Sequence, residues 1–188
     1  MTPAWFLPTL APAGPETRHD PQPVTLDDVL PEPQWRTRHS RRIAAPPEVA
    51  LEAARAVTIA EMPLAALLLT LRGFAPSPRR VPLTTLLEKG VGLARLDENL
   101  WAGVQRPWRA RGQHRRVGDV VAFDEPGWVK LAVDLTSADG VLATETRIVA
   151  TSDDARRAFA RYWVLVRAGS DVVRRSWLRA AERRALTA

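Results

Sequence analysis

The chain has 188 residues, 27 Lys or Arg against 21 Asp or Glu, a net charge of +6 and no cysteine. That length suits one domain with a tail and is enough for a real core. The missing cysteine excludes disulfides, thiolate metal sites and thiol nucleophiles.

Residues 1–34 hold eight of the sixteen prolines. They read as an extended, partly disordered lead-in, because so little apolar surface cannot offset the cost of ordering. Trp5, Phe6 and Leu7 are the exception, an apolar trio able to dock on the domain surface or plug a pocket. Residues 25–30 suit one helical turn. No basic region precedes the first apolar residues, so no secretory signal is read. No apolar run approaches the roughly 20 residues a membrane span needs. The expectation is a soluble, cytoplasmic protein whose folded domain covers residues 35–188.

Residues 35–45 read as a first strand. Thr37, His39, Arg41 and Ile43 share one parity; Arg36, Arg38, Ser40 and Arg42 share the other, the wet side. Pro46-Pro47 suits a strand exit into a helix with proline in its first turn. A short helix then runs over 49–57, with Leu51 and Ala54 inward. Pro63 opens a second helix that reaches Leu71; Gly73, Pro76 and Pro78 mark a loop. Residues 83–89 make another helical turn, ended by Gly90.

From Gly92 the apolar period falls towards two. Strands are predicted at 92–97, 99–106, 117–123, 127–137 and 141–150. Val129, Leu131, Val133 and Leu135 share one face, with Trp128, Lys130 and Asp134 on the other. Ala138-Asp139-Gly140 is a hairpin turn, since Asp-Gly tolerates positive φ. Leu142, Thr144, Thr146 and Ile148 face one side. Glu145 and Arg147 face the other, read as a solvated surface within reach of Lys130 and Asp134 or, were the parity reversed, as an ion pair inside the pocket suited to a carboxylate- or hydroxyl-bearing ligand.

The chain closes on a long helix that starts near Ser152 or Asp153, either of which suits an N-cap. Phe159, Trp163, Val166, Val173, Trp177 and Ala180 keep one face apolar, and the stripe skips Ser170. Gly169 either kinks the helix or ends it, but the stripe stays in phase, which favours one bent helix or two nearly collinear pieces. The other face is arginine: nine arginines stand against four acids from residue 153 onward. Asp153 with Arg157, and Asp171 with Arg175, are i,i+4 pairs. The arginine face is either a solvated surface or an electrostatic footprint for phosphates. All but two of the chain's basic residues, Lys89 and Lys130, are arginine. That fits a GC-rich coding bias and weakens any nucleic-acid inference from charge alone.

One strand, two short helices, several antiparallel strands and a long final helix make an α+β pattern. A curved sheet with one apolar face needs a cover, and only the final helix is long enough to supply it. This order resembles the helix-grip fold of the START/Bet v 1-like superfamily, also called SRPBCC or polyketide cyclase-like. His39 to Glu48, HSRRIAAPPE, is similar to the strand, Ala-Pro-x-Glu, helix opening common there. Thr144-Glu145-Thr146-Arg147, followed by Phe159, Tyr162-Trp163, Gly169-Ser170 and Arg174-Arg175, resembles an uncharacterised bacterial subgroup. The resemblance covers residues 35–186, with one or two strands fewer than the usual set.

That resemblance implies a curved antiparallel sheet wrapped on the C-terminal helix, with a cavity between them for a small hydrophobic molecule. Members bind lipids, sterols, polyketides or hormones, and some cyclise or dehydrate what they bind. They share no catalytic motif, so no catalytic residue carries over. The candidate lining residues are His39, Trp101, Phe123, Trp163 and Trp177. His39 shares parity with Ile43, which puts it near the cavity mouth or leaves it an edge histidine bound to a neighbour. Each aromatic is equally read as plain core.

No metal or cofactor is expected. His19, His39 and His114 are far apart, and metal ligands come clustered. No Gly-x-Ser-x-Gly, Walker or dinucleotide glycine pattern occurs. Three functions remain: binding of a small hydrophobic ligand, binding of nucleic acid or an acidic partner, and cyclase or dehydratase chemistry centred on His39. The second would use the arginine helix, in a helix-turn-helix arrangement about Ala168-Gly169-Ser170. Oligomeric state is not legible.

Overall fold

The computed structural model describes residues 24–71, 80–109 and 112–187. The Trp5–Leu7 trio and the loop with Gly73, Pro76 and Pro78 lie outside them. The described elements, in chain order, are α1 (Leu26–Val29), β1 (Trp35–Arg42), α2 (Pro47–Ala56), a 3-10 turn (Ile59–Glu61) and α3 (Pro63–Leu71). Next come α4 (Leu83–Thr85), which continues into a π-turn at Leu86–Gly90, then β2 (Ala94–Asp97), β3 (Leu100–Arg106) and β4 (Gln113–Arg115). The chain ends with β5 (Val129–Ala138), β6 (Val141–Ala150) and α5 (Asp153–Ala185).

The class is α+β. Six strands form one antiparallel sheet in the order β1-β6-β5-β3-β2, with β4 pairing β3 beyond the end of β2. A two-residue turn joins β5 to β6. Asp139 (φ 51°) and Gly140 (φ 70°) both take positive φ, the turn whose twist matches the strands it joins.

Sheet register sorts the side chains as the alternation predicts. Thr37 lies opposite Thr146 and His39 opposite Thr144, while Leu131, Val133 and Leu135 pair with Ile148, Thr146 and Thr144. All of these face α5. One predicted strand does not form: residues 117–123 are irregular. Asp119 Oδ1 accepts the N–H groups of Val121 and Ala122 at 2.7 and 3.1 Å, and a carboxylate that binds its own backbone competes with a ladder. The short β4 at Gln113–Arg115 takes the place beside β3 instead.

The second departure is on the far side of the sheet. Leu26, Val29 and Leu30 are buried there with Leu100, Ala102, Val104, Val120, Trp128 and Ala132. Glu145 and Arg147 face away from α5, as their parity requires, but they are buried rather than solvated. Arg147 Nε donates to Glu145 Oε1 at 2.7 Å, and its Nη1 donates to Asp27 Oδ1 at 2.6 Å and to the Leu30 carbonyl at 3.0 Å. Arg36 pairs with Glu145 at 2.7 Å. Lys130 instead donates to the Val121 carbonyl at 2.9 Å. Part of the proline-rich lead-in thus covers a face that alternation alone would leave wet.

α5 is one helix of 33 residues, unbroken through Ala168, Gly169 and Ser170, so the turn of a helix-turn-helix is absent. Ser152 sits at the N-cap position, but its Oγ accepts the Gly127 N–H at 2.8 Å rather than a helix N–H. Asp153 pairs with Arg156, one residue short of the predicted Arg157, and Asp171 pairs with His39 rather than Arg175. Among the described residues no helix is long and apolar enough to cross a membrane.

Candidate functional site

The site is the seam between α5 and the sheet, and both its ends are closed by apolar packing. At the N-terminal end of α5, Ala155 and Phe159 pack on Val129, Ile148 and Ala150. Phe159 is ringed by Trp35 at 4.6 Å, Tyr162 at 5.8 Å, Trp108 at 6.5 Å and Trp163 stacked at 5.8 Å. At the other end Trp177, Leu178, Ala181 and Ala185 pack with Ala50, Ala53, Ala54 and Val57 of the α2 region. The indole of Trp177 donates to the Ala54 carbonyl at 2.7 Å, which satisfies the polar edge of a fully buried ring.

Between those ends the packing loosens. No described residue of α5 between Phe159 and Trp177 is fully buried, although the stripe keeps facing the sheet. A Cβ added at Gly169 would meet nothing within 4 Å. The lining here is polar. Ser170 and Arg174 come from the helix; Thr37, His39, Thr144 and Thr146 come from the sheet. Arg174 Nη1 donates to Thr144 Oγ1 at 3.2 Å, and its Nη2 to Thr146 Oγ1 at 2.8 Å. Burial lowers the Arg174 pKa to about 10, against a weak opposing pull from Asp134, so the side chain is still a cation near neutral pH.

His39 sits beside this cation, since Thr144 is its strand partner. Its Nε2 lies 3.2 Å from Asp171 Oδ1. Burial lowers the histidine pKa, Asp171 opposes that, and Arg174 and Arg175 reinforce it. The neutral ring donates through Nε2 to Asp171, which leaves Nδ1 an acceptor. That nitrogen is buried with no hydrogen-bond partner. The chemistry on offer is a half-buried cation, a histidine acceptor and two hydroxyls, flanked by aromatic rings.

The five predicted lining residues divide among different places. His39 is in the polar middle of the seam. Trp163 is half-buried and marks the N-terminal edge of that middle, and Trp177 closes the other end. Trp101 is on the same sheet face but wholly buried, its indole donating to Glu88 Oε1 at 3.0 Å. Phe123 is on the opposite face, edge-on to Trp128 at 6.4 Å, because the strand expected to carry it is a loop. An open hollow of about 460 Å³ lies along that loop, lined by Arg115, Asp119, Phe123 and Glu125 among others; it is far from the seam. The residues that sequence reasoning misses are Thr144, Thr146, Asp171 and Arg174. The one signal for them was the gap in the apolar stripe at Ser170.

No family model matches the chain, and no curated protein matches it. Among solved structures it is similar to the crystal structure of Zhui aromatase/cyclase from Streptomyces sp. R1128. The identity is 16%, the match covers 80% of this chain and 94% of that one, and the TM-score is 0.30. A likeness of that size assigns no activity to this chain.

Proposed function

We propose that the protein binds a small, largely apolar molecule in the seam between α5 and the sheet. The observation that carries this is the middle of α5, whose stripe is only half-buried between two closed apolar ends. An amphipathic helix kept only for structure would bury its stripe along its whole length. Here the stripe is buried at Phe159 and again at Trp177, and only half-buried between. Ligand sites combine apolar walls with a few placed polar groups, and the aromatic cluster with Arg174, His39 and the two threonines supplies both.

Native mass spectrometry of freshly purified protein, followed by denaturing extraction, tests the reading. A stoichiometric organic adduct supports it. A second test replaces Ser170 with Phe, which fills the seam: adduct loss is expected with the fold intact, and an undiminished adduct overturns the location.

A second reading rests on the outer face of α5. Arg157, Arg161, Arg175, Arg179 and Arg183 are exposed along it, a stripe suited to phosphates of nucleic acid. Fluorescence anisotropy with labelled duplex DNA and single-stranded RNA at about 50 mM salt tests it; the absence of any shift ends it.

A further inference from the structure

Arg174 lacks the carboxylate partner that most buried or half-buried arginines among the described residues have; Arg106, which donates to the Gly127 and Pro126 carbonyls, is another exception. Arg41 reaches Glu182, Arg55 reaches Glu98, Arg147 reaches Glu145 and Asp27, and Arg184 reaches Glu61, all within 2.8 Å. Arg174 reaches the hydroxyls of Thr144 and Thr146 and the face of the Trp177 ring, 5.6 Å from its centroid. Among the described residues no carboxylate is in contact with its guanidinium. The nearest acid on its own helix, Asp171, is turned to His39. Asp134 acts on it only through space, from the opposite face of the sheet.

A cation partly removed from water without a countercharge is held at a cost. Two neutral hydroxyls and one ring face offset only part of that. They do hold the guanidinium in one orientation and leave the rest of its five N–H groups unused. The side chain also keeps some accessible surface, so a molecule in the seam can reach it. Beside it, the buried and unpartnered Nδ1 of His39 is a second polar atom without a protein partner.

We infer that the ligand is an amphiphilic anion, with an acidic oxygen group (carboxylate, sulfonate, phosphate or an ionised phenol) held by Arg174 and an apolar body lying towards the Phe159–Trp163 cluster. This rests on the seam being the ligand site. The hydroxyls of Thr144 and Thr146 position the guanidinium, and the Nδ1 of His39 accepts from a hydroxyl of the ligand where it has one.

The test uses two fluorescent probes that share one ring system: anilinonaphthalene sulfonate, an anion, and phenylnaphthylamine, which is neutral. Both are titrated into the full chain, into Arg174→Met, and into Arg175→Gln as an exposed-arginine control. The wild type is expected to bind the sulfonate at least about tenfold tighter than the neutral probe. Arg174→Met is expected to erase that preference without changing the neutral probe, and Arg175→Gln to keep it. Should Arg174→Met fail to fold, Arg174→Lys carries the test. A single ammonium cannot reproduce the two-hydroxyl fork, so sulfonate affinity is expected to fall at least about threefold, and an unchanged affinity overturns the inference. Equal binding of both probes, or a preference that survives Arg174→Met, overturns the anion inference and leaves the seam reading standing. If neither probe binds, the seam reading itself falls and takes this inference with it.

Discussion

Arg147 and Glu145 stand two residues apart on β6 and share a hydrogen bond of 2.7 Å, on the face of the sheet away from α5. Their side chains are 9% and 5% exposed. Burial opposes the charge on Glu145, but hydrogen bonds from Arg36 and Arg147 outweigh it and hold its pKa below the usual carboxylate range. Breaking a buried pair by removing one partner typically costs about 3 kcal/mol, because the other charge is stranded. Glu145→Ala is therefore expected to lower unfolding stability by about that much, read by urea denaturation. The double change Glu145→Leu with Arg147→Leu is expected to cost less than the two single changes summed. Additive costs would mean that the pair does not act as a unit.

Gly169 offers a change in the other direction. It lies inside α5, and a Cβ there meets nothing within 4 Å. Glycine in a helix interior is worse than alanine by about 1 kcal/mol. Gly169→Ala is expected to raise the thermal midpoint by a few degrees. A fall would show that the middle of α5 needs glycine's freedom, for instance to bend.

Glu61 ties the start of α3 to the end of α5. Burial pushes its pKa up, but hydrogen bonds from Arg184 and from Thr58 prevail and bring it from 4.5 down to about 2. A carboxylate with a lowered folded pKa adds stability above its unfolded pKa and loses it as pH falls through the folded one. The stability gap between wild type and Glu61→Gln is thus expected to be constant above pH 4.5 and to close as pH falls towards about 2. A gap that does not change over that range would remove the ion pair as its source.

His39 gives a reading inside the seam itself. Burial lowers its pKa below 6.5, and Arg174 and Arg175 add to this while Asp171 opposes it. The same sign applies: the stability His39 supplies as a neutral ring is present above pH 6.5 and declines as pH falls through its lowered folded value. In a proton NMR titration its midpoint should lie below 6.5. Arg174→Met is expected to raise the midpoint, and Asp171→Asn to lower it. A midpoint at the ordinary value that ignores both changes would mean that the ring is not held in the seam.

Much of the architecture was legible because it depends on local periodicity. The parity of Thr37, His39 and Arg41 against Arg36, Arg38 and Ser40 placed β1 correctly, since a strand alternates whatever its neighbours are. The Asp139-Gly140 turn, Pro47 in the first turn of α2, and the unbroken phase of α5 were legible for the same reason. The strand predicted at 117–123 failed because Asp119 binds its own backbone, a competition that apolar alternation does not register.

Sequence by itself determined which residues point to which side of each element, and that the final helix covers the sheet. Only tertiary structure decided what each side meets. Glu145 and Arg147 looked solvated because nothing in the alternation reveals that Leu26, Val29 and Leu30 fold back over them. Phe123 moved to the opposite face once its strand became a loop. Arg174 looked like one more member of an arginine-rich helix face. It became a half-buried cation because it lies one position beyond Val173 on the turn that faces Thr144 and Thr146. Charge pairing is a matter of distance across the fold rather than spacing along the chain, so no pattern within α5 could show that this arginine, unlike Arg184, would find no carboxylate.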